Sequence, residues 1–410
     1  MKSDIDVNMK ETSAPSPIGG AERIQEIDII RGFALFGVLW INLVAQAGNL
    51  VPAGTFNNLA TAPLDAVIQP IADIFVTDKA MALFSLLFGY GFAMIIRRLE
   101  ARGADSGRLF LRRTAILFAI GIIHIWFVWF GDILHVYALM GFVLYLTRNW
   151  SDKRLLIVGL SLALFSTGVV EAVLQLRYDE PFPWWPIYDI GAERHFQVLQ
   201  DNSYAAYVGE LWWASWETMW GMPFYIHYCA TALGRFMLGA WIFRQGWLQS
   251  TATLRPAFRR WSILLIGAGL ALTFAGRGID QLSGALAYAF SPLPQLVLAV
   301  GYGAAIVALC RSERFRHAMS GVAAVGRTAL TNYLLQSVMY LFVLYGFGLG
   351  LIDRLGATLC LVLAVGFFSI QMWASRWWMS RFRFGPMEWV WRSLTYKQLQ
   401  PFRLGAASKG

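Results

Sequence analysis

The chain has 410 residues, of which 57% are hydrophobic and 14% charged, and it carries a net charge of +9. A soluble domain holds about 45–50% apolar and about 25% charged residues, so this composition excludes a soluble globular protein and points to a membrane one. The positive balance then reflects cytoplasmic Lys and Arg rather than a nucleic-acid surface, and three cysteines in or beside apolar runs (Cys229, Cys310, Cys360) indicate no disulfide framework.

Residues 1–22 mix charges with Pro15, Pro17, Gly19 and Gly20, and predict a disordered cytoplasmic tail. No cleavable signal is read there, because the first apolar run begins near Ile27, contains Arg31 and is long enough to span. Residues 23–396 are expected to form a single transmembrane domain, all-α and polytopic, with 397–410 as a C-terminal tail. Ten apolar runs mark its helices: about 27–47, 80–96, 114–130, 133–147, 155–175, 222–243, 261–276, 292–310, 328–347 and 355–373. Ten spans put both termini on one side. The segments assigned to that side hold 27 Lys and Arg and those on the other hold 5, so both termini are placed in the cytoplasm.

Span one carries Asp28, Arg31 and Asn42 on one helical face, a polar stripe that continues about 16 Å from Arg31 to Asn42. An Asp28–Arg31 pair at the inner interface accounts for the first two residues but not for Asn42. Basic pairs Arg97-Arg98 and Arg112-Arg113 flank the next inner loop. Positive-inside topology explains them, and so does a site for the phosphates of a nucleotide-containing acyl donor such as acyl-CoA.

Span three contains His124, and a hairpin read as Gly131-Asp132 joins it to span four, which brings His135 and Tyr137. A carboxylate can orient and polarise an imidazole that removes a proton, so two histidines and an aspartate on adjoining helices form a candidate catalytic group. No H-x-x-x-H or C-x-x-C spacing supports a metal site.

The largest outer segment, 176–221, holds seven carboxylates, a Pro181–Pro186 stretch and tryptophans at 213, 216 and 220 with helical spacing. That spacing suits a helix in the outer interface, or an aromatic platform for a sugar or lipid headgroup. A shorter outer loop, 48–79, suits an amphipathic helix before span two. Arg235 lies deep in span six, where an arginine usually faces a carboxylate or an anionic ligand, and span nine adds Asn332, Tyr333 and Gln336, of which Asn332 and Gln336 share a face one turn apart. For those amides, interhelical hydrogen bonding competes with substrate binding. Phosphate loops, dinucleotide fingerprints, zincin motifs and nucleophile elbows are all missing from the sequence.

Blocks along nearly the whole chain resemble the YeiB-like domain-of-unknown-function 418 family of bacterial inner-membrane proteins. They comprise Arg23-Ile24, Ile27-Asp28 and Arg31 to Leu35; Leu83-Phe84-Ser85 and Leu87-Phe88-Gly89; His124 with Gly131 to Leu134 and Tyr137-Ala138; Leu330 to Leu334 with Gln336-Ser337; and Phe384-Gly385-Pro386, Glu388-Trp389, Trp391-Arg392 and Leu394 to Tyr396. The start of span one is also similar, more distantly, to the heparan-α-glucosaminide N-acetyltransferase-like and acyltransferase-three families. Those pass acyl groups from cytoplasmic acyl-CoA to acceptors at the far face. The chain departs from the acyltransferase-three pattern in having Asn42 where histidine is frequent, which moves the histidine role to His124.

The resemblance implies a multi-pass inner-membrane acyltransferase with no tightly bound cofactor and acyl-CoA as donor substrate. His124, Asp132 and Asn42 are its expected catalytic residues. Asp28, Arg31, His135, Tyr137, Arg235, Asn332 and Gln336 are expected to bind substrate, and Arg97, Arg98, Arg112 and Arg113 the donor phosphates. The expected partners are the bilayer and a small-molecule, glycan or lipid-linked acceptor, with a homo-oligomer allowed. A transporter for a small anion or lipid-linked molecule is the competing class, and requires a polar path from face to face. A non-catalytic scaffold is the third.

Overall fold

The computed structural model describes residues 24–49, 51, 54–101, 106–177, 192–216, 223–249, 251–280 and 284–404. Seventeen helices lie among them. In chain order these are α1 (Gln25–Asn49), α2 (Ala62–Phe75), α3 (Lys79–Ala101), α4 (Ser106–Phe127), α5 (Leu134–Leu146), α6 (Asp152–Arg177), α7 (Ala192–Gln200), α8 (Tyr204–Ser215) and α9 (Pro223–Arg244). There follow α10 (Thr251–Asp280), α11 (Gly284–Phe290), α12 (Pro292–Leu309), α13 (Glu313–Ala318), α14 (Ser320–Arg327), α15 (Ala329–Leu344), α16 (Ala357–Met379) and α17 (Pro386–Tyr396). Each of the ten apolar runs falls on a helix, and seven stretches are long and apolar enough to cross a membrane. The protein is an all-α polytopic membrane protein.

Helix α1 is central and packs on α3, α14, α15 and α16. Ile29, Leu35, Leu39 and Leu43 along it are fully buried. Gly32 stands against the Val322 carbonyl of α14, and Gly326 of α14 against the Asp28 carbonyl, so a Cβ at either would collide with backbone. These small residues let the two helices touch, which is how close packing is achieved where no hydrophobic effect separates helix from lipid.

The hairpin after α4 differs from the expected two-residue turn. Helix α4 stops at Phe127, a turn earlier than its apolar run, and six residues, 128–133, lead to α5. Helix α5 has only 13 residues, about 20 Å of length against about 30 Å of hydrocarbon. The start of α5 and the residues before it are buried in the fold, with Asp132, Ile133 and His135 at 2%, 4% and 0% exposure. In a bilayer, irregular backbone survives only when protein surrounds it.

Helix α8 provides that cover. Tyr204 donates its hydroxyl to the Phe127 carbonyl at 2.6 Å, Tyr207 to Val128 at 2.9 Å, and Trp212 its indole N–H to Trp126 at 3.2 Å. These are carbonyls at the end of α4, where the helix offers no partners of its own. Trp212 and Trp213 of α8, and Trp216 just after it, are nevertheless exposed, as on an interfacial helix. Trp220 and the Pro181–Pro186 stretch lie outside the described residues.

At the other end α17 packs beneath α4 and α15. Trp391 donates to the Arg113 carbonyl at 2.8 Å, and Arg112 to the Thr395 carbonyl at 3.0 Å. The Glu388 carboxylate receives the backbone N–H of Leu330 at 2.7 Å and of Thr331 at 3.2 Å, with the Thr331 hydroxyl at 2.6 Å, and so caps the N-terminus of α15. Lys397 adopts a left-handed conformation (φ 54°) that ends α17. Beyond it the chain stays packed through Leu404, pairing with residues 381–383.

Burial pushes the Glu388 carboxyl above the usual carboxylate value, while its hydrogen bonds pull the other way. A raised folded-state value favours the native state at low pH and withdraws that contribution as pH rises through it. The melting temperature of the wild type is therefore expected to fall relative to Glu388→Gln as pH rises above the unfolded carboxylate value of 4.5. Glu388→Ala, which orphans two N–H groups and a hydroxyl, is expected to cost about 1–3 kcal/mol, measured by thermal unfolding in detergent.

Candidate functional site

Asp132, 2% exposed, stands at the junction of α4, α5 and α15. Its Oδ2 accepts the backbone N–H of His135 at 3.0 Å and lies 3.0 Å from His135 Nδ1. Its Oδ1 lies 3.0 Å from His124 Nδ1, a contact bent off the ring N–H axis, and receives the Tyr333 hydroxyl at 3.3 Å. Gly121 makes the approach of α5 to α4 possible, since a Cβ there would meet the His135 backbone nitrogen at 2.5 Å.

A carboxylate only accepts, so the proton of a neutral His135 sits on Nδ1 and the lone pair on Nε2. The 3.0 Å approach of His124 Nδ1 calls for the same tautomer. Both Nε2 atoms are buried without a hydrogen-bond partner among the described residues. His135 stacks on Tyr225, with centroids 5.8 Å apart and planes at 9°, and His124 lies 5.5 Å from the Tyr333 ring. The result is two oriented bases on one carboxylate, each able to take a proton and become an imidazolium stabilised by Asp132.

Next to this cluster, toward the end of the bundle that carries α17, lies a cavity of about 270 Å³. Its upper end is formed by Ile133, Tyr137 and Tyr333. Phe84, Leu87, Phe88 and Leu117 line its middle. Its lower end carries Arg31, Arg98, Arg113, Arg327, Arg383 and Arg392, with Asp28 and Glu388 as the acidic residues. Helix α17 forms the floor. There the Arg113 guanidinium lies 3.6 Å from the Trp391 ring centroid, and that of Arg392 lies 4.6 Å from that of Phe384.

Of the donor arginines expected from the sequence, the cavity therefore takes Arg98 and Arg113. Arg97 points elsewhere, 6.0 Å over the Phe243 ring and into a separate cavity, and Arg112 holds the Thr395 carbonyl. Asp28 and Arg31 are 3.5 Å apart and both line the cavity, with Arg31 also bonded to the Gly326 carbonyl at 3.3 Å. Tyr137 shares a 2.7 Å hydrogen bond with Ser85.

The remaining expected residues are held in other contacts. Asn42 lies near Tyr340, whose hydroxyl donates to the Leu39 carbonyl at 3.2 Å, and Trp129, three residues before Asp132, packs on that ring at 6.1 Å. Arg235 donates to Gln295 at 2.9 Å, and Gln295 in turn to Asp78 at 3.0 Å. Asn332 bonds Thr328 and Ser375, while Gln336 bonds Gln371, a ladder between α15 and α16. For both amides, interhelical hydrogen bonding is thus the observed role.

Tyr333, Arg327, Arg383, Arg392 and Glu388 enter the site without having been singled out as site residues from the sequence. Tyr333, Glu388 and Arg392 did fall within the motif blocks, which was the available signal.

A protein-family model for DUF418, a protein of unknown function, matches residues 242–398. YxaH of Bacillus subtilis (strain 168) is 30% identical over 403 residues, covering 93% of this chain and 96% of that protein. YeiB of Escherichia coli (strain K12) is 31% identical over 403 residues, covering 93% and 98%. The chain belongs to the DUF418 family. A 39.9 kDa protein of Bacillus acidopullulyticus is 29% identical over 389 residues, and all three relatives are described as uncharacterized. No solved structure matches the chain.

Removing the carboxylate from a buried cluster strands the groups it compensates. Asp132→Ala is expected to destabilise the protein by about 3–5 kcal/mol, and Tyr333→Phe or Tyr207→Phe by about 1 kcal/mol each. Chemical or thermal unfolding of the three variants in one detergent measures the order.

Proposed function

We propose that this protein is a transmembrane acyltransferase of the bacterial inner membrane, which takes an acyl group from cytoplasmic acyl-CoA and delivers it to an acceptor from the outer side. One observation carries the reading. An arginine-rich mouth on the cytoplasmic side leads through an apolar middle to Tyr333, and Tyr333 touches the carboxylate that orients two histidines. A donor with phosphates at one end and a thin, mostly apolar arm at the other matches that order.

In this reading Arg98, Arg113, Arg327, Arg383 and Arg392 bind the donor phosphates. The arm lies against Phe84, Phe88 and Leu117, with the thioester beside Tyr333 and Tyr137. His124 Nε2 takes the proton of an acceptor hydroxyl or amine as its lone pair attacks the thioester carbonyl. The C–S bond then breaks, and the imidazolium returns the proton to the leaving thiolate. Asp132 stabilises the imidazolium, and His135 shares its charge. Neither imidazole lines the cavity, so Tyr333 and Ile133 form the partition that the reacting groups must pass. The apolar middle favours this reading over a path for a small anion, which needs polar groups from face to face.

Thermal stability of the purified protein with coenzyme A and acetyl-CoA tests the donor site. Saturation at about 100 times the dissociation constant stabilises by about 2.7 kcal/mol. The shift is expected to disappear in Arg113→Ala and Arg392→Ala and to persist in Arg97→Ala. His124→Ala is expected to keep the shift and to lose transfer of a radiolabelled acyl group to membrane extracts. No shift with any acyl-CoA overturns the donor assignment.

A further inference from the structure

Helix α4 carries a residue from each end of the proposed donor site, Arg113 at the arginine-rich mouth and His124 in the cluster. At about 1.5 Å of rise per residue the two stand about 16 Å apart along the helix axis. Helix α3 gives the length of the cavity itself. Its lining residues run from Phe84, whose ring lies 6.1 Å from that of Tyr137, through Gly91 to Arg98. From Phe84 to Arg98 the helix rises about 21 Å. Gly91 keeps the passage open, since a Cβ there would meet nothing within 4 Å.

The arm of coenzyme A runs about 13 bonds from its diphosphate to its sulfur, and extended at about 1.2 Å per bond it reaches about 15 Å. With the phosphates at Arg98 and Arg113, the sulfur therefore arrives at the level of Tyr137 and His124. About 6 Å of cavity is left beyond it, the length of about five bonds.

That end is closed. Ile133, Tyr137 and Tyr333 are 4%, 1% and 3% exposed. Hydrogen bonds hold all three: Ile133 donates its N–H to the Tyr333 hydroxyl at 3.4 Å, Tyr333 reaches Asp132, and Tyr137 is tied to Ser85. Behind them α4 and α5 touch at Gly121, where even a Cβ would collide with the His135 backbone. On the side of α9, Phe88 is stacked on Phe236 at 4.6 Å. A hydrocarbon chain longer than the remaining space has to displace packed protein, and overpacking weakens binding.

Resting on the acyl-transfer reading, we infer that the donor carries a short acyl group, of about two to four carbons, and that Ile133, Tyr137 and Tyr333 form the stop that sets this limit.

The test is the concentration dependence of the thermal shift of the purified full chain with coenzyme A and with its acetyl, butyryl and octanoyl thioesters. The first three are expected to bind alike, and the octanoyl form about tenfold more weakly. Ile133→Ala shortens the stop and is expected to remove most of that difference. Phe84→Ala opens the wall at the same level should the first variant fail to fold. Gly91→Leu, lower in the passage, is expected to weaken all four ligands together. The readout is the octanoyl-to-acetyl affinity ratio within each protein, which a general loss of stability does not move. Equal binding of the octanoyl and acetyl forms by the wild type, or an unchanged ratio in both opened variants, overturns the inference and leaves the donor site standing. No shift with coenzyme A itself overturns the donor site, and the inference with it.

Discussion

A carboxylate buried in a membrane protein has to be compensated, and Asp132 is compensated by four groups from three places. Desolvating an isolated charge costs far more than any single contact returns, so each of these groups is held where it is. His124 fixes the rotation of α4, His135 and its backbone N–H fix the start of α5, and Tyr333 fixes α15. Gly121 removes the one side chain that would keep α4 and α5 apart. The site is a consequence of this compensation.

The same constraint reaches outward and inward. The end of α4 lies beside the buried cluster, and its free carbonyls need donors that lipid does not supply. Tyr204, Tyr207 and Trp212 bring those donors on α8, so the outer helix both anchors at the interface and seals the site. Inward, α15 connects the cluster to the floor. Glu388 of α17 holds the backbone of Leu330 and Thr331, and Tyr333 reaches Asp132 one turn later. Helix α17 is thus linked to the carboxylate through a single helical turn, and it also brings Arg392 and Trp391 to the cavity.

Much of this was legible without coordinates. Apolar runs and the uneven charge distribution placed ten helices, because hydrocarbon thickness and topogenesis act on sequence directly. The histidines and Asp132 stood out because ionisable groups in spans are costly and need partners. Other readings depended on rotation and depth, which spacing leaves open. Asn42 shares a face with Asp28 and Arg31, yet those two line the cavity and Asn42 does not. Arg97 and Arg98 are adjacent in sequence and enter different cavities, since one residue is about 100° of helix.

What the sequence by itself determined was class, approximate topology and the chemical inventory: an all-α membrane protein, with its basic residues concentrated on one side and a His–Asp–His group on adjoining helices. These follow from composition and one-dimensional pattern. Tertiary structure alone decided which arginines converge, that Tyr333 and Glu388 belong to the site, and that the turn holding Asp132 lies inside the fold beneath α8. Those depend on how helices of unequal length pack side by side. Helix α5 spans only about two-thirds of the hydrocarbon, and that shortfall moves a turn expected at the surface into the interior.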